Sequence, residues 1–302
     1  MNNITRKAYA KINLALDVLS RRPDGYHEVK MIMQTIGLYD ELTFKKIPQP
    51  NTSPPIIIET NSTQIPTDET NIIYRAATAI MERFNLNTSI KINLTKNIPV
   101  AAGMAGGSTN AAAVFHGLND LLNLNMTTNE MCEMGVKIGA DVPFCILSGT
   151  ALAEGIGEKL TPLPPLPSCH ILIAKPDIPV STKWVYENLN ANALVNHPDI
   201  DGIITALHYQ DLDGITSRME NVLETVTIKK HPIIKELKTQ ILTLGAKNTL
   251  MSGSGPTVFG IYTNESKAQN AYNKLKNDFE THLTMSVESV ISKSRPLRNV
   301  VT

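Results

Sequence analysis

A chain of 302 residues is long enough for two ordinary domains. Its hydrophobic fraction of 42% and charged fraction of 19% are those of a soluble globular protein and exclude a largely disordered chain. Lys plus Arg and Asp plus Glu number 28 each, so no net field favours nucleic acid or an acidic membrane, and neither is expected as a partner.

The opening "MNNITRKAYAKINLAL" lacks the apolar run of a signal peptide, so a cytoplasmic location is expected. Cys132, Cys145 and Cys169 show no CxxC or Cys/His spacing, so they read as reduced thiols, and no metal ligands are expected among them. In "AYAKINLALDVL", Ile12, Leu14, Leu16 and Val18 alternate with Lys11, Asn13, Ala15 and Asp17. That period of two predicts a half-buried strand with Lys11 and Asn13 together on its less apolar face. Pro23-Asp24-Gly25 has turn chemistry and would present Tyr26 and His27, which in isolation read more readily as surface residues than as ligands.

A loop is expected over 49–55 and a short strand in "IIIET". A helix follows in "DETNIIYRAATAIMERF", with Ile72, Ala76, Ala79, Ile80 and Phe84 near one stripe. "SIKINLTKNIPV" alternates again and runs into "PVAAGMAGGSTNAAAVF", residues 99–115. Beyond it Ala111, Val114, Phe115, Leu118, Leu121 and Leu122 step by three and four, predicting a helix with Ser108 or Thr109 as N-cap and His116 in solvent. Thr127 and Glu130 suggest a capping box. Gly139 suits a left-handed helix end, which leaves Asp141 in a loop.

The proline-rich stretch 162–168 reads as a stiff connector, dividing the chain into 1–165 and 166–302. After it come a strand in "HILIAK", helices near 182–190, 203–208 and 215–226, and one over 232–244 closed by Gly245. Strand, glycine turn and strand follow in "TLMSGSGPTVFGIY", then a polar helix over 265–280 and a last strand in "MSVESVI".

Two glycine segments stand out. Gly103, Gly106 and Gly107 precede a helix whose free N–H groups and dipole favour an anion, most simply nucleotide phosphates; close helix packing is the competing reading. The segment is neither a Walker A loop nor GxGxxG. Gly253-Ser254-Gly255, alone, reads first as a hairpin turn. Lys11 and Asp141 would suit phosphoryl transfer if they meet, which spacing does not decide; otherwise they are surface charges.

Pro99 through Ala111 is similar to the phosphate loop of the GHMP kinase superfamily, Pro-x-x-x-Gly-Leu-Gly-Ser-Ser-Ala, with an insertion. With "AKINLALDVL", "GADVPFCILSGTALAEGIGEKLTPL" and "MSGSGPTVFGIY", the chain resembles that superfamily over almost its whole length. The resemblance implies an α+β, two-domain GHMP kinase fold, with a ribosomal protein S5 domain 2-like N-terminal domain and a C-terminal α/β sandwich domain. It implies ATP as phosphoryl donor, Mg2+, and Lys11 with Asp141 as catalytic pair. By the same analogy Pro99, Val100, Ala101, Ala102, Gly103, Met104, Ala105, Gly106, Gly107, Ser108 and Thr109 cradle the triphosphate, with Lys96, Asn71 and Ile72 near the adenosine. Gly253 to Gly255 becomes a wall of the cleft.

The segment "DGYH" resembles the branch whose small-molecule substrate is a cytidine diphosphate methylerythritol, phosphorylated at its 2-hydroxyl in non-mevalonate isoprenoid synthesis. That implies substrate contacts from Asn13, Tyr26, His27 and Tyr186. The rival readings are another GHMP kinase acting on a small alcohol, and a nucleotide-binding regulator without turnover. No acidic pair announces itself as a magnesium site, so the metal is expected on the nucleotide and Ser108. A monomer or weak homodimer is expected. Two departures from the family pattern are Ala105, where glycine is usual, and Val222 in "NVLE".

Overall fold

The computed structural model describes residues 3–48 and 55–287; the loop expected over 49–55 and the strand expected in "MSVESVI" fall largely outside them. Strands β1 (Asn3–Arg21) and β2 (His27–Ile47) form a long antiparallel hairpin. Then come β3 (Ile56–Thr60), α1 (Ile72–Arg83), β4 (Ser89–Thr95), α2 (Gly106–Leu121), α3 (Thr128–Ile138), α4 (Val142–Leu147), β5 (Thr150–Gly155) and β6 (Lys159–Pro162). The second half carries β7 (His170–Lys175), α5 (Thr182–Asn188), α6 (Ile200–His208), α7 (Leu212–Ser217), β8 (Glu220–Asn221), α8 (Glu224–Lys230) and α9 (Ile233–Thr243). It ends with β9 (Asn248–Met251), β10 (Val258–Tyr262), α10 (Glu265–Leu275) and β11 (Glu280–Met285).

Two sheets organise these elements. The first runs β3-β4-β2-β1-β8, with β5 also paired to β2 and β6 to β5; the second runs β11-β7-β10-β9. The two-residue strand β8 crosses from the second half to pair in parallel with Ala15 and Leu16 of β1. It also splits the single helix expected over 215–226 into α7 and α8.

β1 is buried on both faces, because helices cover one side of its sheet and the second half of the chain covers the other. Strict alternation fails there for a local reason. Register shifts lie between Tyr9 and Lys11 and between Asn13 and Ala15. Ala10, Ile12 and Leu14 therefore enter one apolar cluster, while Ala8, Leu16 and Val18 enter the other. A bulge inverts the side-chain sense of the residues beyond it, as one extra residue must.

α1 begins at its Asn71 cap, whose side chain accepts from the Ile73 N–H, and buries Ile73, Ala76, Ala77, Ile80 and Met81; its buried stripe lies one residue on from the expected one. α2 starts at Gly106 after Ala105, so neither Ser108 nor Thr109 caps it. It packs so closely on β2 that a Cβ at Gly117 would sit 2.4 Å from the Phe44 ring. His116 is not in solvent: it is half-buried, with Nε2 3.1 Å from the Ile146 carbonyl. α3 has the full capping box of Thr127 and Glu130, but Gly139 is extended (φ −177°), not left-handed. The prolines 162–167 lie against the first sheet, where the Leu163 N–H donates to the Thr150 carbonyl and Leu166 is buried. The three cysteines are free thiols, and burial pushes those of Cys132 and Cys169 up to about 11. Among the described residues, no helix is long and apolar enough to cross a membrane.

Candidate active site

A cavity of about 1140 Å³ lies where the glycine loop, the β1–β2 turn, α5 and the β9–β10 turn converge. On its floor, Lys11 is buried because the bulged β1 turns it under the loop. Its Nζ donates to Asn13 Oδ1 at 2.8 Å and to the Gly103 carbonyl at 3.2 Å. Nζ also lies 3.8 Å from Asp141 Oδ2. Asp141 stands at the head of α4, where it makes no capping hydrogen bond with its side chain, and about a third of that side chain remains exposed. An ammonium and a carboxylate 130 residues apart in sequence thus share one face of the cavity.

The loop itself turns through left-handed backbone at Ala101, Gly103 and Ala105, with φ of +51°, +69° and +56°. Ala105 therefore adopts the conformation a glycine would, at a cost of about 1–2 kcal/mol for an L side chain. Helix α2 then opens at Gly106 with its first N–H groups at the cavity, an arrangement that favours an anion. A Cβ at Gly103 would approach the Ser252 carbonyl oxygen to 2.2 Å, so only glycine fits. The Gly103 carbonyl accepts from Ser252 Oγ at 2.9 Å. The two glycine segments are therefore in backbone contact, and the second is more than a hairpin turn. Asn221 holds it there, donating through Nδ2 to the Met251 and Gly253 carbonyls at 2.8 Å each. Val222 beside it is buried in the apolar cluster, with its N–H donating to the Leu16 carbonyl, so an apolar side chain is at ease there.

At the other end, Tyr26 is 59% exposed at the rim while His27 is buried. The His27 and Tyr186 rings are in contact, with centroids 5.1 Å apart and planes tilted by 42°. Burial first, and the nearby Arg21 charge second, lower the His27 pKa, so its imidazole is neutral at pH 7. Burial, and then the Asp141 charge, push the Tyr186 phenol up, so it stays protonated. Tyr186 rides on α5, which starts at its Ser181 cap, and Thr182 Oγ1 lies 2.8 Å from Ser254 Oγ.

The cavity wall includes Lys11, Asn13, Tyr26, His27, Asn71, Ile72, Lys96, Asp141, Tyr186 and the loop residues 99–103 and 105–108. Two expected residues turn away from it. The Met104 side chain is buried in the core, and the Thr109 hydroxyl donates to the Tyr9 carbonyl at 2.6 Å. Lys96 reaches the wall with its ammonium already engaged by Asp40 at 2.8 Å. Asn110 lies inside the phosphate-loop stretch, where the resemblance assigns it no role, yet it is buried, lines the cavity, and its Oδ1 has no hydrogen-bond partner among the described residues. The one signal for it is a lone amide at the front of a run of alanines. Among the described residues, no group of three or more His, Cys, Asp and Glu could hold a metal ion.

Comparison with known proteins converges on one family. Residues 71–149 match the GHMP kinases N terminal domain and residues 193–281 the GHMP kinases C terminal domain. The 4-diphosphocytidyl-2-C-methyl-D-erythritol kinase of Lachnoclostridium phytofermentans is 54% identical over 276 residues, covering 91% of this chain and 94% of the relative. That of Acetivibrio thermocellus is 47% identical over 288 residues, 95% and 100% of the two chains. A crystal structure of 4-(cytidine 5'-diphospho)-2C-methyl-D-erythritol kinase superposes with a TM-score of 0.81 at 30% identity, covering 94% of this chain and 99% of that one. Homoserine kinase from Cytophaga hutchinsonii shares the fold, with a TM-score of 0.75 at 19% identity over 96% of each chain.

Proposed function

The chain belongs to the 4-diphosphocytidyl-2-C-methyl-D-erythritol kinases within the GHMP kinases, and from that membership we propose how its cavity carries out the transfer. ATP donates its γ-phosphoryl group to the 2-hydroxyl of 4-diphosphocytidyl-2-C-methyl-D-erythritol, a step of isoprenoid precursor synthesis. The observation that carries this reading is the Lys11–Asp141 pair at 3.8 Å, set beside the glycine loop. Asp141, free of capping bonds, accepts the hydroxyl proton as the oxygen attacks phosphorus. Lys11 holds that carboxylate facing the loop, with Asn13 orienting the ammonium.

Residues 99–103 and 105–108, with the first N–H groups of α2, hold the triphosphate, and Asn71, Ile72 and Lys96 flank the adenosine. Mg2+ would neutralise phosphate charge during transfer. The residues present fit a metal carried mainly by the nucleotide: the wall offers the Ser108 hydroxyl and the unpartnered Asn110 Oδ1 as oxygen donors, without an acidic cage.

The cytosine does not fit between His27 and Tyr186, since a sandwiched ring needs about 7 Å between its neighbours, twice a van der Waals contact. It stacks instead against Tyr186 and Tyr26, with His27 at its edge. A neutral imidazole has one donor and one acceptor nitrogen, matching the mixed edge of cytosine.

The test is an ADP-release assay with ATP and Mg2+, comparing 4-diphosphocytidyl-2-C-methyl-D-erythritol with mevalonate, homoserine and galactose. Turnover is expected with the cytidylyl compound alone. Asp141→Asn is expected to lower kcat by about 10²–10⁴-fold with the KM values little changed. Turnover of a small alcohol would discard the cytidine site, and near-normal kcat in Asp141→Asn would discard the proton acceptor.

A further inference from the structure

Asp40 is fully buried on β2, and the chemistry above makes no use of it. Its Oδ1 accepts the backbone N–H groups of Asn97 and Ile98, both at 2.7 Å. Its Oδ2 accepts from Lys96 Nζ at 2.8 Å, and the same ammonium donates to the Ile98 carbonyl. Asn97 Nδ2 reaches back to the Tyr39 carbonyl at 3.0 Å, and the Lys96 N–H donates to Asn61 Oδ1 at 2.7 Å. The chain between the end of β4 and Pro99 is therefore a corner wrapped around one carboxylate.

That corner ends where the glycine loop begins. It also touches the far end of the loop: a Cβ at Gly106 would lie 3.2 Å from Lys96 Nζ and 3.3 Å from Ile98 Cγ2. One carboxylate thus fixes the entry of the loop and, through Lys96, the ground on which α2 starts. A buried ammonium beside the positive end of a helix is repelled unless a negative charge balances it. Buried ion pairs contribute little net stability against apolar packing of similar volume, so stability alone gives a poor account of this one.

We propose that Asp40 is a positioning residue for the nucleotide: through Lys96 and the N–H groups of Asn97 and Ile98 it sets the path of the glycine loop and the aim of its N–H groups. The proposal rests on the phosphate-cradle reading of that loop. It predicts an effect on the nucleotide end of the cavity and none on the cytidine end.

Asp40→Asn tests it, because the amide keeps the volume and one acceptor oxygen but removes the charge facing Lys96. Calorimetric titrations would use β,γ-imido-ATP with Mg2+ and, separately, 4-diphosphocytidyl-2-C-methyl-D-erythritol, neither of which turns over alone. The Kd of the ATP analogue is expected to rise by about tenfold or more, and that of the cytidylyl substrate to stay within about twofold. KM for ATP should rise in parallel while kcat changes less. Because the carboxylate acts through Lys96, Asp40→Asn/Lys96→Met should bind the analogue no worse than Lys96→Met. Should Asp40→Asn fail to fold, Asp40→Glu, which keeps the charge paired with Lys96 but shifts it off the N–H groups of Asn97 and Ile98, carries the test with the same expected split between the two ligands. Unchanged analogue binding would overturn the proposal, as would equal losses for both ligands alongside a lowered melting temperature. A wild-type protein that bound the cytidylyl substrate but no ATP analogue would instead remove the cradle reading, and this proposal with it.

Discussion

His116 shows how far one side chain's surroundings depart from its place on a helical wheel. Its position off the apolar stripe of α2 suggests solvent, but α4 packs over it and the Nε2–H donates to the Ile146 carbonyl. Burial lowers its pKa, an effect larger than the opposing pull of that hydrogen bond and of Asp120. The folded state therefore binds this proton less readily than the unfolded chain. Stability is fully present above the unfolded value of 6.5, falls as the pH drops through it, and levels off below the folded-state pKa. His116→Gln, which can still donate to Ile146, should flatten the decline in melting temperature between pH 7 and pH 5. A decline as steep as in the wild type would assign the acid sensitivity to other groups. Lys11, Asn13 and Asp141 also belong to this scale: the residue types are legible, and the shared strand face of Lys11 and Asn13 follows from a period of two. The approach of Asp141 depends on where α4 lies, which no local pattern encodes.

Local chemistry was most informative in the helix starts. The Asn71 cap and the Thr127–Glu130 box are hydrogen bonds between residues two or three apart, so the sequence contains both partners. The start of α2 is different. Ser108 and Thr109 are good capping types, yet the helix opens two residues before them because the loop reverses at Ala105 in left-handed backbone. An alanine is strained there, so Ala105→Gly should stabilise the fold by up to about 1 kcal/mol, less the extra flexibility gained by the unfolded chain. Denaturant unfolding reads this directly, and a variant less stable than wild type would show that the alanine methyl packs better than its backbone suffers. The β1 strand fails its expected alternation for a comparable reason: register shifts against β2, between Tyr9 and Lys11 and between Asn13 and Ala15, reset the faces.

The active-site cavity exists because distant segments are tied together. Gly103 touches Ser252, and Asn221 anchors the Ser252–Gly255 turn from a strand added to the first sheet. Asn221→Ala would leave the Met251 and Gly253 carbonyls and the Leu223 N–H without their partners, all in a buried setting. The expected loss is roughly 2–3 kcal/mol of unfolding free energy, with KM for ATP raised because Gly103 loses its backstop. Equilibrium unfolding and initial rates check the two parts separately. A loss below about 0.5 kcal/mol would mean that water replaces the amide.

The elements whose partners are close in the chain were legible in the sequence alone: most strands and helices, the Thr127–Glu130 capping box, and a loop too small in its side chains for ordinary packing. Its motifs also carried the resemblance to the kinase family that the whole-chain relatives share. Which charges meet, which loop residues face the cavity, that residues 220–221 form a strand, and that Asp40 lies beneath the loop became visible with the folded chain. The reason is physical. Turns, caps and periodicity are interactions over a few residues, whereas Lys11 with Asp141, Gly103 with Ser252 and Asp40 with Lys96 are contacts over 56 to 149 residues. Such contacts depend on bulges, packing and strand order, none of which is encoded by the residues that meet.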